Sequence, residues 1–355
     1  MISRSVFRPR VLKSIEEMRD ISWQWSDLHH RCPYATPFQR PEWLLPWIEA
    51  FSPQPMVAIA VRLENRLVGF APFLMYRRES DIVLAFMGGG ISDYLDVMVD
   101  PAYETQVVTS IQDALAGIPD WTLLELTDLP SGSAVLRAGS FETVGTEHDI
   151  CSALSLPSLE AGPVGNVPGK DALLHLFSKR QRANLRNARS RLRRMGEALI
   201  EIAVPETLPA FLDDLFRLHT TRWSQTGQAG ILEDERIRDF HVRSAPLLLE
   251  RGVLRLYRLR LGSRTLAVIY SLFERETVFC YMQGFDPEFG FCSPGTQLMF
   301  AVIEDAVRLG RRKFDFLRGQ EAYKQHWHAV GEPTYCVQLA RSVFYDRTST
   351  YARIA

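Results

Sequence analysis

Two stretches far apart in this chain share one grammar. IQDALAGIPDWTLLELTD (111–128) and IEDAVRLGRRKFDFLRG (303–319) each read Ile-x-Asp-Ala, a short loop, then a strand with one acid among apolar residues, so that Glu125 and Asp315 correspond. Upstream of each, AVRLENRLVGFAPFL (60–74) and LYRLRLGSRTLAVIYSL (256–272) read as strand, polar turn, strand. Any two α/β segments can resemble each other once, but agreement in order and spacing over successive elements favours internal duplication. That restricts the fold to two copies of one α/β unit. The length of 355 residues agrees, since a domain averages ~150 residues.

The break between the copies falls in SLPSLEAGPVGNVPGK (155–170), where Pro and Gly interrupt all periodicity. The expected organisation is a first domain over 1–156, a linker over 157–169 and a second domain over 170–355, of class α/β (α+β). In the first, helices are expected at 13–29, after Pro41 and at 102–116, with strands at 56–63, 67–75, 81–87 and 121–127. In the second, helices are expected at 170–195, 206–224, 233–250 and 294–309. Strands at 198–203, 253–260, 264–273, 276–284, 312–317 and 334–341 complete it.

Hydrophobic residues make up 46% of the chain, charged residues 23%, and the net charge is −1, which describes an ordinary globular protein rather than a nucleic-acid or membrane binder. The cysteines (Cys32, Cys151, Cys280, Cys292, Cys336) lack metal-ligand or disulfide spacing, and the histidines lack metal geometry. No metal is expected. With no signal-peptide or membrane-spanning run in view, a cytoplasmic setting is expected.

Several segments carry possible chemistry. YMQGFDPEFGFCSPGTQLMFAVIEDAV (281–307) runs from strand through loop into helix, with Ser293 at a capping position and Pro294 at the first turn. It is either an ordinary capped helix or a phosphate site, because helix N-termini offer free N–H groups. In 170–195, Leu174, Phe177, Leu185, Ala188, Leu192 and Met195 form an apolar stripe, while Lys179, Arg180, Arg182, Arg186, Arg189, Arg191, Arg193 and Arg194 supply charge without one acid. Such a face is either solvated or meets an anion: a substrate phosphate, a carrier protein, RNA or lipid head groups. MGGGISDYLDVMVD (87–100) places Asp93, Tyr94 and Asp96 after a glycine turn, as turn residues or as the wall of an acceptor cleft. Arg222 and Trp223 end a helix, either packed together or as a substrate rim.

The first copy's strand exits into the bland Leu129-Pro130-Ser131-Gly132, the second into Arg318-Gly319-Gln320-Glu321 and AYKQHW. Chemistry is therefore expected in the second copy. Glu321 and Lys324, at i and i+3, can pair as a surface salt bridge, but Asp315 alternates with Phe314 and Phe316 and points to the opposite face. An acid at a strand's carboxyl end is expected at a cleft.

SKRQRANLRNARSRLRRMG, FLDDLFRLHTTRW, YMQGFDPEFGFCSPGTQL and FDFLRGQEAYKQHW, in that order over 170–330, resemble the GNAT acyltransferase superfamily. Within it they are similar to CelD-type (cellulose-biosynthesis) acetyltransferases and Fem peptidoglycan aminoacyl ligases. The resemblance implies two tandem GNAT-like domains, each a mixed, mostly antiparallel sheet flanked by helices. It further implies transfer of an acyl group, acetyl above all, from acyl-CoA to an amine of a polar acceptor such as an amino sugar. Pantetheine would lie along 276–284, and Gln283, Ser293, Gly295, Thr296 and Gln297 would bind the CoA. FGFCSPGT departs from the usual Gln/Arg-x-x-Gly-x-Gly/Ala loop, and Fem-like ligases, which also lack a good loop, use aminoacyl-tRNA. By the same resemblance Lys324 steadies the reacting carbonyl, and Arg182 and Arg186 lie near substrate phosphates. Asp315 or Glu321 accepts the amine proton, Tyr323 protonates the leaving thiolate, and Arg318 shapes the adjoining turn and touches substrate. A binding module without activity is the remaining alternative.

Overall fold

The repeat in sequence is a repeat in structure. A computed structural model of the chain describes residues 6–137, 145–157, 177–225, 230–319 and 321–344. The first copy begins with strand β1 (Phe7–Leu12), followed by α1 (Ile15–Asp20), α2 (Ser22–Arg31) and α3 (Pro41–Phe51). Strands β2 (Met56–Leu63), β3 (Arg66–Arg78), β4 (Asp81–Phe86) and the short β5 (Met98–Val99) come next. Helix α4 (Glu104–Gly117), β6 (Leu123–Pro130), α5 (Ala134–Arg137) and β7 (Thr146–Ser155) end the copy.

The second copy opens with an added helix, α6 (Lys179–Met195), and then repeats the order. It runs β8 (Ala198–Ile202), α7 (Leu208–Gln225), α8 (Glu235–Glu250), β9 (Leu254–Leu261), β10 (Arg264–Glu274) and β11 (Thr277–Phe285). Helix α9 (Pro294–Arg308), β12 (Lys313–Arg318), α10 (Ala322–Gln325) and β13 (Val330–Ala340) follow. In each copy successive strands pair antiparallel up to β4 or β11, and the strand after the long helix joins parallel. This is the mixed, mostly antiparallel sheet with flanking helices that the motifs imply. Register supports the correspondence of the two acids: Leu84 pairs with Leu124, just before Glu125, and Val278 with Phe314, just before Asp315.

The compact units are not the two halves of the sequence. One unit comprises residues up to Ile150 and again from Pro333 onward; the other runs from Cys151 to Glu332. The reason is an exchange of last strands. The end of β7 pairs antiparallel with β12 (Ala153 with Asp315), while β13 pairs antiparallel with β6 (Gln338 with Glu125). Val337 and Leu339 of β13 are buried in the first unit's core beside Leu124 and Leu126. The expected domain ends at 156 and 355 therefore differ from the observed division, because a strand's partner is a long-range property. Apart from Pro157, the expected linker 157–169 lies outside the described residues.

Local chemistry explains most element ends. Ser178 and Gln181 form a capping box at the start of α6, so the helix begins at Lys179 rather than near 170; residues 170–176 are outside the described set. The apolar stripe of α6 holds in Leu185, Ala188 and Leu192, which pack on the core, whereas Met195 is exposed. β1 was not expected because FRPRVL is polar and contains Pro9, which only an edge strand tolerates. Among the described residues no helix is long and apolar enough to cross a membrane.

A polar cluster lies buried in the second unit. His241 is packed against Tyr270 and Tyr281, with ring centroids 5.5 and 5.6 Å away. Burial holds His241 down to about 3 and His219 to about 4, so both are neutral near pH 7. A histidine whose folded value is depressed gives stability that is present above its unfolded value, about 6.5, and lost as pH falls toward the folded value. The chain is expected to lose stability steeply between about pH 6.5 and 4. His241→Phe, which suits this aromatic setting, should remove about 1.4 kcal/mol per pH unit from that slope, read from urea melts across pH.

Candidate active site

β11 carries an irregularity at the centre of the second unit. Tyr270 pairs with Met282 but Ser271 with Cys280, leaving Tyr281 as an extra residue, a β-bulge. β11 pairs with β12 only over Thr277–Phe279 and Lys313–Asp315. Beyond that point the two parallel strands part, and β11 continues to Phe285. A cavity of about 510 Å³ lies beside the end of β11 that runs past this point.

Its walls come from every element that meets there. β11 contributes Gln283 and Phe285; the start of α9 contributes Ser293, Gly295, Thr296 and Gln297, with Met299 and Phe300 deeper. Tyr323, His326 and Trp327 close the opposite side, and α6 lays Gln181, Arg182, Leu185 and Ala188 along the cavity. Arg222 enters from α7, which lies directly on β11: a Cβ at Gly284 would stand 2.7 Å from His219 N. Only glycine permits that approach.

α6 is fastened at both ends. Gln181 Nε2 donates to His326 O, and Arg191 Nη1 donates to Phe291 O at 2.8 Å. Phe177, just before the helix, packs its ring 5.5 Å from Phe300 and 5.3 Å from Trp327. The aromatic Phe177, Phe300 and Trp327 and the polar Arg182, Arg222 and start of α9 thus line one cavity.

The start of α9 suits an anion. α9 has no acid in its first turn, and the first N–H groups of any helix have no intrahelical partner. Gly295 leaves its backbone approachable, since a Cβ there would touch only Phe285, at 3.6 Å. Ser293 does not cap the helix with its side chain as expected; it sits in a left-handed conformation (φ 47°). Pro294 lacks an N–H, so Gly295 and Thr296 are the available donors. Gln297 is committed to the loop, donating from Nε2 to Cys292 O at 2.7 Å.

Tyr323 is among the titratable groups that line this space, with Arg182, Arg222 and His326. Burial first, then the neighbouring Cys280 and Glu321, pushes its phenol well above the usual range, while Arg222 and a hydrogen bond with Gln283 oppose the shift. It stays protonated and can donate.

Asp315 and Lys324 stand elsewhere. Asp315 is 1% exposed, and its carboxylate accepts from Leu317 N at 2.8 Å with Lys313 Nζ 3.5 Å away. The alternation with Phe314 and Phe316 holds, but the face it points to is closed, so the expected acid at a cleft is a buried acid under a turn. Lys324, 2% exposed, donates to the carbonyls of Leu317, Arg318 and Gly319 at 3.0, 2.6 and 3.0 Å. It also pairs with Glu321 at 2.9 Å, whose side chain is 49% exposed. Leu317 and Gly319 have positive φ (60° and 105°), and Lys324 holds this reversal together. Neither it nor Asp315, Arg318 or Glu321 is among the lining residues.

Other expected residues also separate. Arg186 is exposed on α6, and the side chain of Trp223 lies outside the described residues. Asp93, Tyr94 and Asp96 belong to the first unit and are buried. Asp96, in particular, is no cleft wall: it accepts from Ser133 Oγ, Ala134 N and Val97 N, each at 2.8 Å. Burial raises its carboxyl to about 6 despite those bonds. Gln181, His326 and the Phe177–Phe300–Trp327 group were not foreseen as site residues, although the Ser-x-x-Gln capping box at 178–181 was legible.

Comparison with known proteins agrees with this geometry. Residues 179–325, from α6 to α10, match the family model of the acetyltransferase (GNAT) domain. Over those residues the second copy is similar to that family, in keeping with its mixed, mostly antiparallel sheet flanked by helices. The crystal structure of FemX superposes with a TM-score of 0.61 at 12% identity, covering 93% of this chain and 97% of that one. A conserved Bacteroides thetaiotaomicron protein of unknown function gives 0.55 at 12% identity, covering 94% and 99%. At such identity these likenesses show the fold alone. No curated protein matches the chain.

Proposed function

We propose that the chain is an acyltransferase whose second unit takes an acyl-CoA and passes the acyl group to an amine. The observation that carries this is the placing of Tyr323, the end of β11 at Gln283 and Phe285, and the anion-suited start of α9 on one cavity. Gln283 and Phe285 would flank the pantetheine arm. Gly295 and Thr296 N–H, with Arg182, would hold the pyrophosphate.

The amine attacks the thioester carbonyl, the C–S bond breaks, and Tyr323 O–H supplies the proton to the leaving thiolate. Glu321, exposed beside the site, takes the amine proton directly or through water. Lys324 and Asp315 act by fixing the Leu317–Gly319 turn from which Glu321 and Tyr323 are presented. The CelD-type likeness supports acetyl as the acyl group and an amino sugar as acceptor. The Fem-type likeness supports the other reading, an aminoacyl-tRNA donor, favoured by the exposed cations Lys179, Arg180, Arg186, Arg193 and Arg194.

Thermal shift separates the two donors. Acetyl-CoA or free CoA at 100 times its dissociation constant should stabilise the fold by about 2.7 kcal/mol. Thr296→Glu, which places a carboxylate at the anion site, should abolish the shift without lowering the unliganded Tm. No response to any CoA, together with salt-sensitive tRNA binding, would replace this reading with the aminoacyl-tRNA one.

A further inference from the structure

We propose that β8 is the seam of a two-fold homodimer. β1 and β8 are the outer strands of their sheets, yet they are built differently. β1 exposes Arg8, Pro9 and Arg10, the residue types that guard an edge against strand addition. β8 reads Ala-Leu-Ile-Glu-Ile, without Lys, Arg or Pro. Leu199, Ile200 and Ile202 are 44%, 46% and 41% exposed, and the flanking Met195 and Val204 are exposed as well. Among the described residues no strand pairs with its outer edge.

The occupant is defined by register and charge. Ile200 and Ile202 pair with Leu259 and Tyr257 of β9, both in the second unit's core. The row Ala198, Ile200, Ile202 therefore continues the apolar face of the sheet past its last strand. Glu201, on the other face, is neutralised by Arg258 and Arg260. Antiparallel pairing about a two-fold axis at Ile200 sets Ala198 against the partner's Ile202 and Ile200 against the partner's Ile200. Directly opposite side chains share a face, so the two rows merge into one apolar strip. The same operation brings the flank of β8 that carries Arg193, Arg194 and Glu197, of net positive charge, toward the side that holds the partner's Glu206. An isologous interface requires this self-complementarity. An anionic bilayer would also attract the arginines but would leave the edge N–H and C=O groups without partners; a second β8 satisfies them.

Sedimentation equilibrium on the full chain tests this. The wild type is expected to dimerise, and Ile200→Lys to weaken the association at least about tenfold, a loss of about 1.4 kcal/mol, with an unchanged CoA response. Ile202→Lys should behave alike, and hydrogen exchange of the β8 amides should slow as protein concentration rises. A monomer at all concentrations, a dimer that survives both substitutions, or co-sedimentation with anionic vesicles in place of self-association would overturn the proposal.

Discussion

Tyr323→Phe is expected to lower kcat by about 100- to 1,000-fold, in the range of a lost general acid, while leaving CoA affinity within about twofold. The substitution deletes one oxygen from a ring that remains packed 6.4 Å from Phe316, so the fold should be retained. Tyr323 lines the cavity together with Gln283 and Arg222, and burial keeps its hydroxyl protonated. A role confined to packing would move Tm and spare kcat. Stopped-flow detection of the released thiol, beside calorimetric binding of CoA, distinguishes these outcomes.

Lys324→Met should cost about 3–5 kcal/mol of stability. The ammonium donates to the carbonyls of Leu317, Arg318 and Gly319 from a nearly dry position, and bonds to a charged donor contribute about 1.5–3 kcal/mol each in favourable cases. Its pairing with Glu321 adds little, because that carboxylate is half exposed. The methionine leaves those carbonyls without a donor beneath a turn with positive φ. Urea unfolding gives the value directly. A loss below about 1 kcal/mol would mean the turn is held by other contacts and would reopen a direct role for Lys324 in the chemistry.

Lys324 also shows where sequence reasoning stops. FDFLRGQEAYKQHW reaches the cavity through Tyr323 and Trp327, but the chain alone does not show which side of a strand end is open. Asp315 and Lys324 were placed there as reacting groups; the fold uses them to build the turn. The duplication, by contrast, is a local pattern repeated in order, and it survives intact down to the register of Glu125 and Asp315. The exchange of β7 and β13 was illegible, because both strands look the same to local propensity whichever sheet they join. Gly295 and Thr296, singled out at a helix start, line the cavity. Asp93, Tyr94 and Asp96 misled because a glycine-rich turn followed by acids suggests an open loop, whereas Asp96 is spent on Ser133 and Ala134.

On the proposed function, the cavity beside the end of β11 receives a CoA thioester. Equilibrium titration of the full chain with acetyl-CoA and with free CoA tests it most directly. One site per chain is expected, weakened at least about tenfold by Thr296→Glu and unaffected by Ile200→Lys. Absence of binding to any CoA, or binding that Thr296→Glu leaves untouched, would contradict it.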